Sequence, residues 1–312
     1  MERARTIFFG SGAFAVPILE GVLATPELAL VGVVTAPPRP SGRRGQPTPT
    51  AVGRRAAGLD VPVLTPERLR GAGFREQLAA LGADVGILAD YGKILPGAVL
   101  DLPPHGILNL HPSLLPRHRG ATPIPAAILA GDAETGVSLF RMDPGMDTGP
   151  LLAVERTTLG PTEDAPSAEV RLAGLAAGLL ARSIGPYLRG ELAPRAQAAA
   201  GVTRTRPLTR EDGRLDPARP AVELERQVRA FCPWPGSFVD LREGRLAVLR
   251  AEAWEGSAGD LPGTIVDDGP GIALATRRGR LRLLEVRPAG GRAMDGPAYR
   301  RGRPTVIGSR VA

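Results

Sequence analysis

The first half of the chain alternates short apolar runs with stretches of helical periodicity, and this alternation constrains the fold most. The apolar runs predict buried strands, and they fall at residues 6–9, 28–34, 61–64, 85–88 and 106–110. Helical patterns separate them, for example at residues 14–23 and 66–81. Strands joined by helices require right-handed crossovers, so we expect a Rossmann-like, mostly parallel sheet with helices on both faces. Ligands bind such sheets beyond the carboxyl ends of the strands.

A second, smaller domain is predicted in the last third of the chain. A helical stretch at 165–187 is followed by residues 190–207, which are rich in Ala, Pro, Gly and Arg and have no strong apolar period. Beyond them, a helical pattern at 222–231 precedes five short strand patterns separated by Gly- and Asp-containing turns, at 237–241, 246–250, 263–266, 272–275 and 281–286. We therefore expect a catalytic domain at 1–189, a linker at 190–207 and a small β-barrel, OB-like, at 208–312.

The basic charge of the chain is concentrated in that smaller domain. Residues 201–312 carry 20 Lys and Arg against 14 Asp and Glu, whereas the preceding residues carry 19 against 18. A GC-rich genome would explain the preference for arginine but not the position of the excess. This asymmetry predicts that the C-terminal domain faces a polyanion such as a nucleic acid.

Other classes of protein fit the composition poorly. No apolar run approaches the roughly 20 residues of a membrane span, and the N-terminus leads directly into a strand pattern, so we expect a cytoplasmic protein that binds no membrane. Cys232 is the single cysteine and forms no zinc framework. The three histidines do not pair with acidic residues at ligand spacing, which predicts no metal. We expect a monomer.

The most unusual segment follows the strand at 106–110. Asn109 and His111 are two residues apart at the end of that strand, so both side chains project from the same side into the ligand crevice. An amide donor beside an imidazole suits a developing oxyanion. The loop continues with two prolines that rigidify it, and with Ser113, whose hydroxyl and backbone groups can face a ligand.

A second cluster surrounds Asp147. Two glycines and two prolines lie within residues 143–150, which predicts a tight turn between strands at 137–142 and 151–154. An aspartate in such a turn is most often only a turn former. It can also hold a carboxylate in a fixed place.

Together these motifs resemble the folate-dependent formyltransferases, whose active site combines an Asn-x-His pair, a Ser-Leu-Leu-Pro loop and an aspartate in an Asp-x-Gly-type turn. The matching residues here are Asn109, His111, Ser113, Leu114, Leu115, Pro116 and Asp147. The wider stretch 83–149, with 229–235 after the linker and 288–294, is similar to those members of the family that formylate methionyl initiator tRNA. The resemblance spans nearly the whole chain.

The resemblance implies a reaction and its partners. The donor would be 10-formyltetrahydrofolate, a co-substrate, and the acceptor the α-amine of methionyl initiator tRNA, so that the product serves translation initiation. Asn109, His111 and Asp147 would be catalytic. Two further groups would bind ligands: Ser113, Leu114, Leu115, Pro116, Leu88 and Tyr91 the folate, and Arg39, Arg43 and Arg44 the tRNA. The three arginines lie in the loop 35–50, which resembles the family's insertion toward the tRNA acceptor end.

The sequence departs from the family pattern at three places. Asp90 stands where a small apolar residue is usual, near the pterin end of the expected folate pocket. Pro125 replaces a usual glutamine, and residues 203–208 lack the usual lysine-containing stretch. These departures affect pocket detail and tRNA affinity.

Three other functions compete with this hypothesis. Residues 10–15 satisfy a Gly-x-Gly-x-x-Ala pattern, which is typical of nicotinamide enzymes, but no acidic residue ends the second strand, where 35–38 reads Thr-Ala-Pro-Pro. A formyltransferase could also use a sugar nucleotide or glycinamide ribonucleotide as the amine. A protein that only binds RNA would leave the Asn109, His111 and Asp147 constellation unexplained.

Overall fold

A computed structural model of the chain describes residues 2–41, 45–257 and 259–311. The chain divides into two compact units, one of residues 1–123, 134–158 and 169–206, the other of residues 124–133, 159–168 and 207–312. Residues 190–206, expected in the linker, thus cluster with the first unit, while the predicted domain boundaries stay a prediction.

The first part of the chain contains the elements β1 Ala4–Gly10, α1 Ala15–Ala24, β2 Leu28–Val34, β3 Arg39–Ser41, β4 Gln46–Thr48, α2 Ala51–Ala56, β5 Val63–Leu64, α3 Ala72–Ala80, β6 Val85–Ala89, α4 Gly97–Leu100, β7 Ile107–His111, β8 Arg119–Gly120, α5 Pro123–Ala130, β9 Glu134–Arg141, β10 Leu151–Thr158, α6 Ala165–Leu188 and β11 Arg204–Thr205. Seven strands form one sheet in the order β10-β9-β7-β6-β1-β2-β5. Strands β7, β6, β1, β2 and β5 are parallel, and β9 runs antiparallel to β7 and β10. The predicted Rossmann-like, mostly parallel sheet is confirmed.

Burial explains why these runs form central strands. Every residue of β6 and of β7 is buried, as expected for strands covered on both faces. Helix α1 buries Ala15, Ile18, Leu19 and Val22. Their spacing places one apolar stripe against the sheet.

One predicted helix is shorter in the structure. The pattern at 66–81 predicts a continuous helix, but α3 begins only at Ala72, after Gly71 with φ 135°. Such a φ favours glycine and is incompatible with a helix, so residues before it cannot extend α3. The apolar period persists nevertheless, since Leu69, Phe74 and Leu78 belong to the same core cluster.

The last part of the chain contains α7 Ala221–Ala230, β12 Ser237–Leu241, β13 Gly244–Trp254, β14 Ile265–Asp268, β15 Gly271–Ala275, β16 Arg280–Pro288, β17 Met294–Asp295 and α8 Gly296–Gly302, with short 3₁₀ turns at Arg210–Gly213 and Pro304–Val306. Its antiparallel strands pair in the order β12-β13-β16-β15-β14, and β17 pairs with β16. Leu224 and Val228 of α7 lie in the same core cluster as strand residues such as Val248. This is the small β domain that the strand patterns predict.

Strand β13 is longer than its apolar pattern indicates. It pairs with β16 from Leu246 to Trp254, with register irregularities around Arg250. Bulges of this kind displace the alternation of buried and exposed positions, so the simple pattern ends before the strand does. None of the helices in the described part of the chain is long and apolar enough to cross a membrane.

Candidate active site

Asn109 and His111 lie at the carboxyl end of β7, on the same face of the sheet. Asn109 pairs with Leu88 of β6 and with Phe140 of β9, and His111 pairs with Ser138 of β9. The exposed fractions of the two residues are 7% and 6%. Both residues are therefore buried almost completely, and the pairing with neighbouring strands fixes their backbone.

The imidazole of His111 has a different partner at each nitrogen. Nε2 lies 2.9 Å from the backbone oxygen of His118, and Nδ1 lies 3.8 Å from Oδ2 of Asp147. A carbonyl oxygen can only accept, so Nε2 carries a proton and donates it to His118. Nδ1 is therefore the nitrogen that can take up a proton, and the imidazolium so formed faces the Asp147 carboxylate.

Asp147 occupies the predicted tight turn, in a left-handed conformation with φ 52°. Its Oδ2 accepts a hydrogen bond of 2.7 Å from the backbone N–H of Gly120. The turn is braced by Asp143, whose Oδ1 accepts from the N–H of Gly145 at 3.0 Å and from Oγ1 of Thr148 at 2.6 Å. The structure thus brings the carboxylate to the histidine, as the hypothesis of a catalytic trio requires.

The turn also requires a glycine at its end. A Cβ on Gly149 would come within 1.9 Å of the backbone oxygen of Arg141. Only a residue without a side chain allows β9 and the turn to approach this closely.

The Ser-Leu-Leu-Pro loop is held by hydrogen bonds within the protein. Ser113 is fully buried, and its hydroxyl donates to the backbone oxygen of Arg117 at 2.7 Å. The hydroxyl of Ser138 donates to the backbone oxygen of Ser113 and accepts from the N–H of Leu115, whose peptide bond to Pro116 is cis. The sequence led us to expect the Ser113 hydroxyl to face a ligand; in the structure it braces the loop. Leu114 and Pro116 are the partly exposed members of the motif.

Leu88 lies near the carboxyl end of β6 and pairs with Asn109 of β7, and Tyr91 follows that strand by two residues. Both side chains are buried, and the ring of Tyr91 packs edge-on against Phe9, with ring centroids 5.9 Å apart. Burial raises the pKa of Tyr91 to about 12. Its hydroxyl oxygen is buried without a hydrogen-bond partner among the residues that the structure describes.

Two exposed apolar side chains on the neighbouring loops were missed by sequence reasoning. Ile94 follows β6 and is 73% exposed, and Met146 precedes Asp147 and is 55% exposed. Single apolar residues in polar loops give no periodic signal, so the sequence offered no reason to select them. In the fold they stand on the two loops that flank Asn109 and His111.

Asp90 directly follows β6, with φ 42°. Its backbone oxygen accepts from the N–H groups of Ser11 and Gly12 at 2.9 and 3.2 Å. Its carboxylate lies over Gly12, where a Cβ would come within 1.6 Å of Oδ2. Loss of hydration, and secondarily the charge of Glu169, raises the pKa of Asp90 to about 6 although part of the residue stays exposed.

Known formyltransferases match nearly the whole chain. A formyl transferase family model matches residues 4–184, and a model of the formyl transferase C-terminal domain matches residues 207–304. Methionyl-tRNA formyltransferases from Roseiflexus sp. strain RS-1 and Thermus thermophilus are each 43% identical over 308 residues, 98% of this chain and 95% and 99% of theirs. The protein from Methylobacterium sp. strain 4-46 is 44% identical over 312 residues, 99% of either chain. The chain belongs to the methionyl-tRNA formyltransferase family.

Solved structures share the fold of this formyltransferase at low sequence identity. The N-formyltransferase from Helicobacter canadensis, solved with folinic acid and dTDP-3-aminofucose, aligns with a TM-score of 0.66 and 14% identity over 90% of this chain and 98% of its own. HypX from Aquifex aeolicus, solved with tetrahydrofolic acid, aligns with a TM-score of 0.62 and 15% identity over 96% of this chain. This formyltransferase spans about half of HypX, 47% of that chain.

The expected tRNA-binding arginines of this formyltransferase are only partly within the structure. Arg39 is exposed in β3, which pairs with β4 in a short antiparallel hairpin. Arg43 and Arg44 lie outside the described residues. Among the described residues, no group of three His, Cys, Asp or Glu side chains could hold a metal ion.

Proposed function

We propose that this enzyme transfers the formyl group of 10-formyltetrahydrofolate to the α-amine of methionyl initiator tRNA, and that Asn109, His111 and Asp147 carry the reaction. The observation that carries the proposal is the Asp147 carboxylate 3.8 Å from Nδ1 of His111, on the sheet edge that also presents Asn109. The named relatives, which match almost the full length of the chain, support this choice of reaction.

Each member of the trio has a distinct task in this mechanism. Attack of the amine on the formyl carbon makes a tetrahedral adduct with a negative oxygen, to which the Asn109 amide donates; one such donor contributes about 3–4 kcal/mol. The substrate ammonium, with an ordinary pKa of about 8, first releases one proton to solvent and becomes the attacking amine. The second proton, which the nitrogen loses after attack, is accepted by Nδ1 of His111. Asp147 stabilises the resulting imidazolium. The same proton then passes to the folate nitrogen as its bond to the formyl carbon breaks.

The surroundings of the trio fit a reduced folate. Ile94 and Met146 are exposed apolar side chains on the two flanking loops, and an apolar surface of this kind suits the flat ring of a pterin. Leu88, Tyr91 and Ser113–Pro116 would form the pocket wall, with Leu114 and Pro116 making side-chain contacts and the buried members supporting the loops. HypX and the Helicobacter enzyme, solved with folate derivatives, support the choice of donor.

The acceptor is proposed to be tRNA because the basic excess of the chain lies in residues 201–312 and Arg39 is exposed on the β3–β4 hairpin. A polyanion requires such dispersed basic surface, whereas a small amine does not. Translation initiation places the reaction in the cytoplasm. We further propose that the enzyme is a monomer and binds no membrane.

The chemistry is tested with the full chain, 10-formyltetrahydrofolate and methionyl initiator tRNA, with the product detected by mass. We expect Asn109→Ala and His111→Ala each to lower turnover by about 100-fold or more, because each removes a group that acts in the transition state. His105→Ala is the matched control, since His105 instead packs edge-on against Tyr187. Near-normal turnover in either folded variant of the trio would refute the assignment.

The acceptor is tested by the triple replacement of Arg39, Arg43 and Arg44 with Ala. We expect weaker tRNA binding and a shallower dependence of log affinity on log salt, by about 0.7–0.9 per lost phosphate contact, with folate binding unchanged. The control is a second triple replacement, at the exposed arginines Arg68, Arg70 and Arg75. Equal salt slopes in both variants and the wild type would argue against this surface as a tRNA site.

A further inference from the structure

The segment after α6 is hydrogen-bonded to the loops around the candidate active site. We call residues 195–205 the return segment. Arg195 and Leu151 exchange two backbone hydrogen bonds of 2.7 Å, and β11 pairs in parallel with β8, so that Arg204 faces Arg119 and Thr205 faces Gly120. A segment whose composition predicts a linker is therefore built into the loops that carry the trio.

Gln197 is the centre of this attachment. Its Oε1 accepts from Nε and Nη2 of Arg119 at 3.1 and 2.7 Å, and its Nε2 donates to the backbone oxygens of Asp147 and Gly149 at 2.9 and 2.8 Å. A guanidinium only donates and a carbonyl only accepts, so this orientation of the amide is the one that satisfies all four contacts. The full hydrogen-bonding capacity of Gln197 is used.

Both groups that the Gln197 amide contacts, the Arg119 side chain and the Asp147 turn, are also connected through the Asp147 carboxylate. Arg119 immediately precedes Gly120, whose N–H donates to Oδ2 of Asp147 at 2.7 Å. Gln197 thus links the backbone of Asp147 to the strand that holds its side chain. Asp147 has a left-handed φ of 52°, which an aspartate tolerates better than most residues other than glycine, and these contacts hold its backbone in that conformation.

The return segment also fixes the partner of His111. Oγ1 of Thr203 accepts from the N–H of His118 at 2.8 Å, and the backbone oxygen of His118 faces Nε2 of His111 at 2.9 Å. Oγ1 of Thr205 donates to the backbone oxygen of Arg119 at 3.1 Å. The two backbone groups that orient the imidazole and the carboxylate are the oxygen of His118 and the N–H of Gly120, and the return segment holds the stretch that contains both.

We propose that Gln197 is a positioning residue for formyl transfer, which sets the Asp147 carboxylate against Nδ1 of His111 through Arg119 and the backbone of the Asp147 turn. This inference rests on the proposed role of Asp147. Gln197 itself touches neither substrate. A displacement of about 1 Å at a reacting group can lower a rate by about 100-fold, so loss of this link should slow the reaction without weakening substrate binding.

The test compares Gln197→Glu with the wild type as full chains. Glutamate keeps the acceptor that pairs with Arg119, but it cannot donate to the backbone oxygens of Asp147 and Gly149. We expect kcat to fall by about 10- to 100-fold, with KM for both substrates changed by less than about 2-fold. Gln77→Glu, an equal change of charge at an exposed position of α3, is the control and should leave both constants unchanged.

The same change is then made in an Asp147→Ala background. If Gln197 acts through Asp147, it should cause no further loss of kcat there. Unchanged kcat in folded Gln197→Glu, or an equal loss in both backgrounds, would overturn the inference. Gln197→Met removes the amide without introducing the negative charge that Gln197→Glu adds, and it should also lower kcat. Wild-type kcat in Asp147→Ala alone would instead withdraw the proposed role of Asp147, and with it the inference, so the two failures are distinguishable.

Discussion

The negative charge of Asp90 should lower the stability of the folded chain by an amount that follows from its surroundings. Its carboxylate lies over Gly12, and loss of hydration raises its pKa from 3.8 to about 6. A rise of that size corresponds to about 3 kcal/mol for an unscreened charge. Because the residue keeps an exposed part, water screens the charge, and we expect about 1 kcal/mol of destabilisation when Asp90 is ionised.

The direction of the pH dependence follows from proton binding. Between pH 3.8 and about 6 the folded state holds more protons at Asp90 than the unfolded state, so this residue lowers stability as the pH rises through that window. Asp90→Asn removes the charge, keeps the shape and tolerates the left-handed φ. The variant should therefore be about 1 kcal/mol more stable than the wild type at pH 8 and nearly equal to it at about pH 3, below both pKa values.

Hydrogen exchange of peptides from β1 and β6 measures this locally. Comparison of the two proteins at one pH cancels the intrinsic pH dependence of exchange, and 1 kcal/mol appears as about 5-fold stronger protection. Glu76→Gln, at an exposed position of α3, controls for loss of a negative charge. An equal difference at about pH 3 and at pH 8, or weaker protection of Asp90→Asn at pH 8, would refute the reasoning.

Two further predictions concern the turn and the segment after α6. Gly149→Ala should destabilise the protein by several kcal/mol or prevent folding of the turn, because its Cβ would lie 1.9 Å from the backbone oxygen of Arg141. Gly174→Ala, at an exposed position of α6 with nothing near the added Cβ, should instead stabilise the protein by about 0.5–1 kcal/mol. Urea unfolding measures both free-energy changes. Limited proteolysis should cut first between residues 190 and 207, because residues 198–202 are exposed, and should release an N-terminal fragment that binds folate. Mass spectrometry locates the cut. A first cut within residues 84–150 would contradict the predicted domain boundary.

The sheet, and the placement of Asn109 and His111 together at the end of one strand, were predictable because their signals are local. Apolar runs that are buried in β6 and β7 differ from their surroundings within a few residues, and Asn109 and His111 stand two positions apart on one of them. Alternation along a strand decides which side chains share a face. The turn around Asp147 was equally visible in its glycines and prolines.

The supporting contacts were not predictable because they join distant residues. Gln197 lies 78 residues from Arg119 and 50 from Asp147, and nothing in the composition of residues 190–207 distinguishes it from a residue of a flexible connection. Ser113 shows a related limit. From the sequence its hydroxyl could face a ligand or the protein. In the folded loop the hydroxyl donates to the backbone oxygen of Arg117, and the distant Ser138 donates to the backbone oxygen of Ser113.

The close fit of Asp90 on Gly12 restricts the order in which this loop can change. Any side chain at position 12 would collide with the carboxylate, whose Oδ2 lies 1.6 Å from the site of a Cβ. A smaller residue at position 90 must therefore come first, and only afterwards does position 12 accept alternatives. Transfer of the β1 loop into a relative, or replacement of it here, should therefore change position 90 first or both positions together, since a larger residue at position 12 alone meets the Asp90 carboxylate.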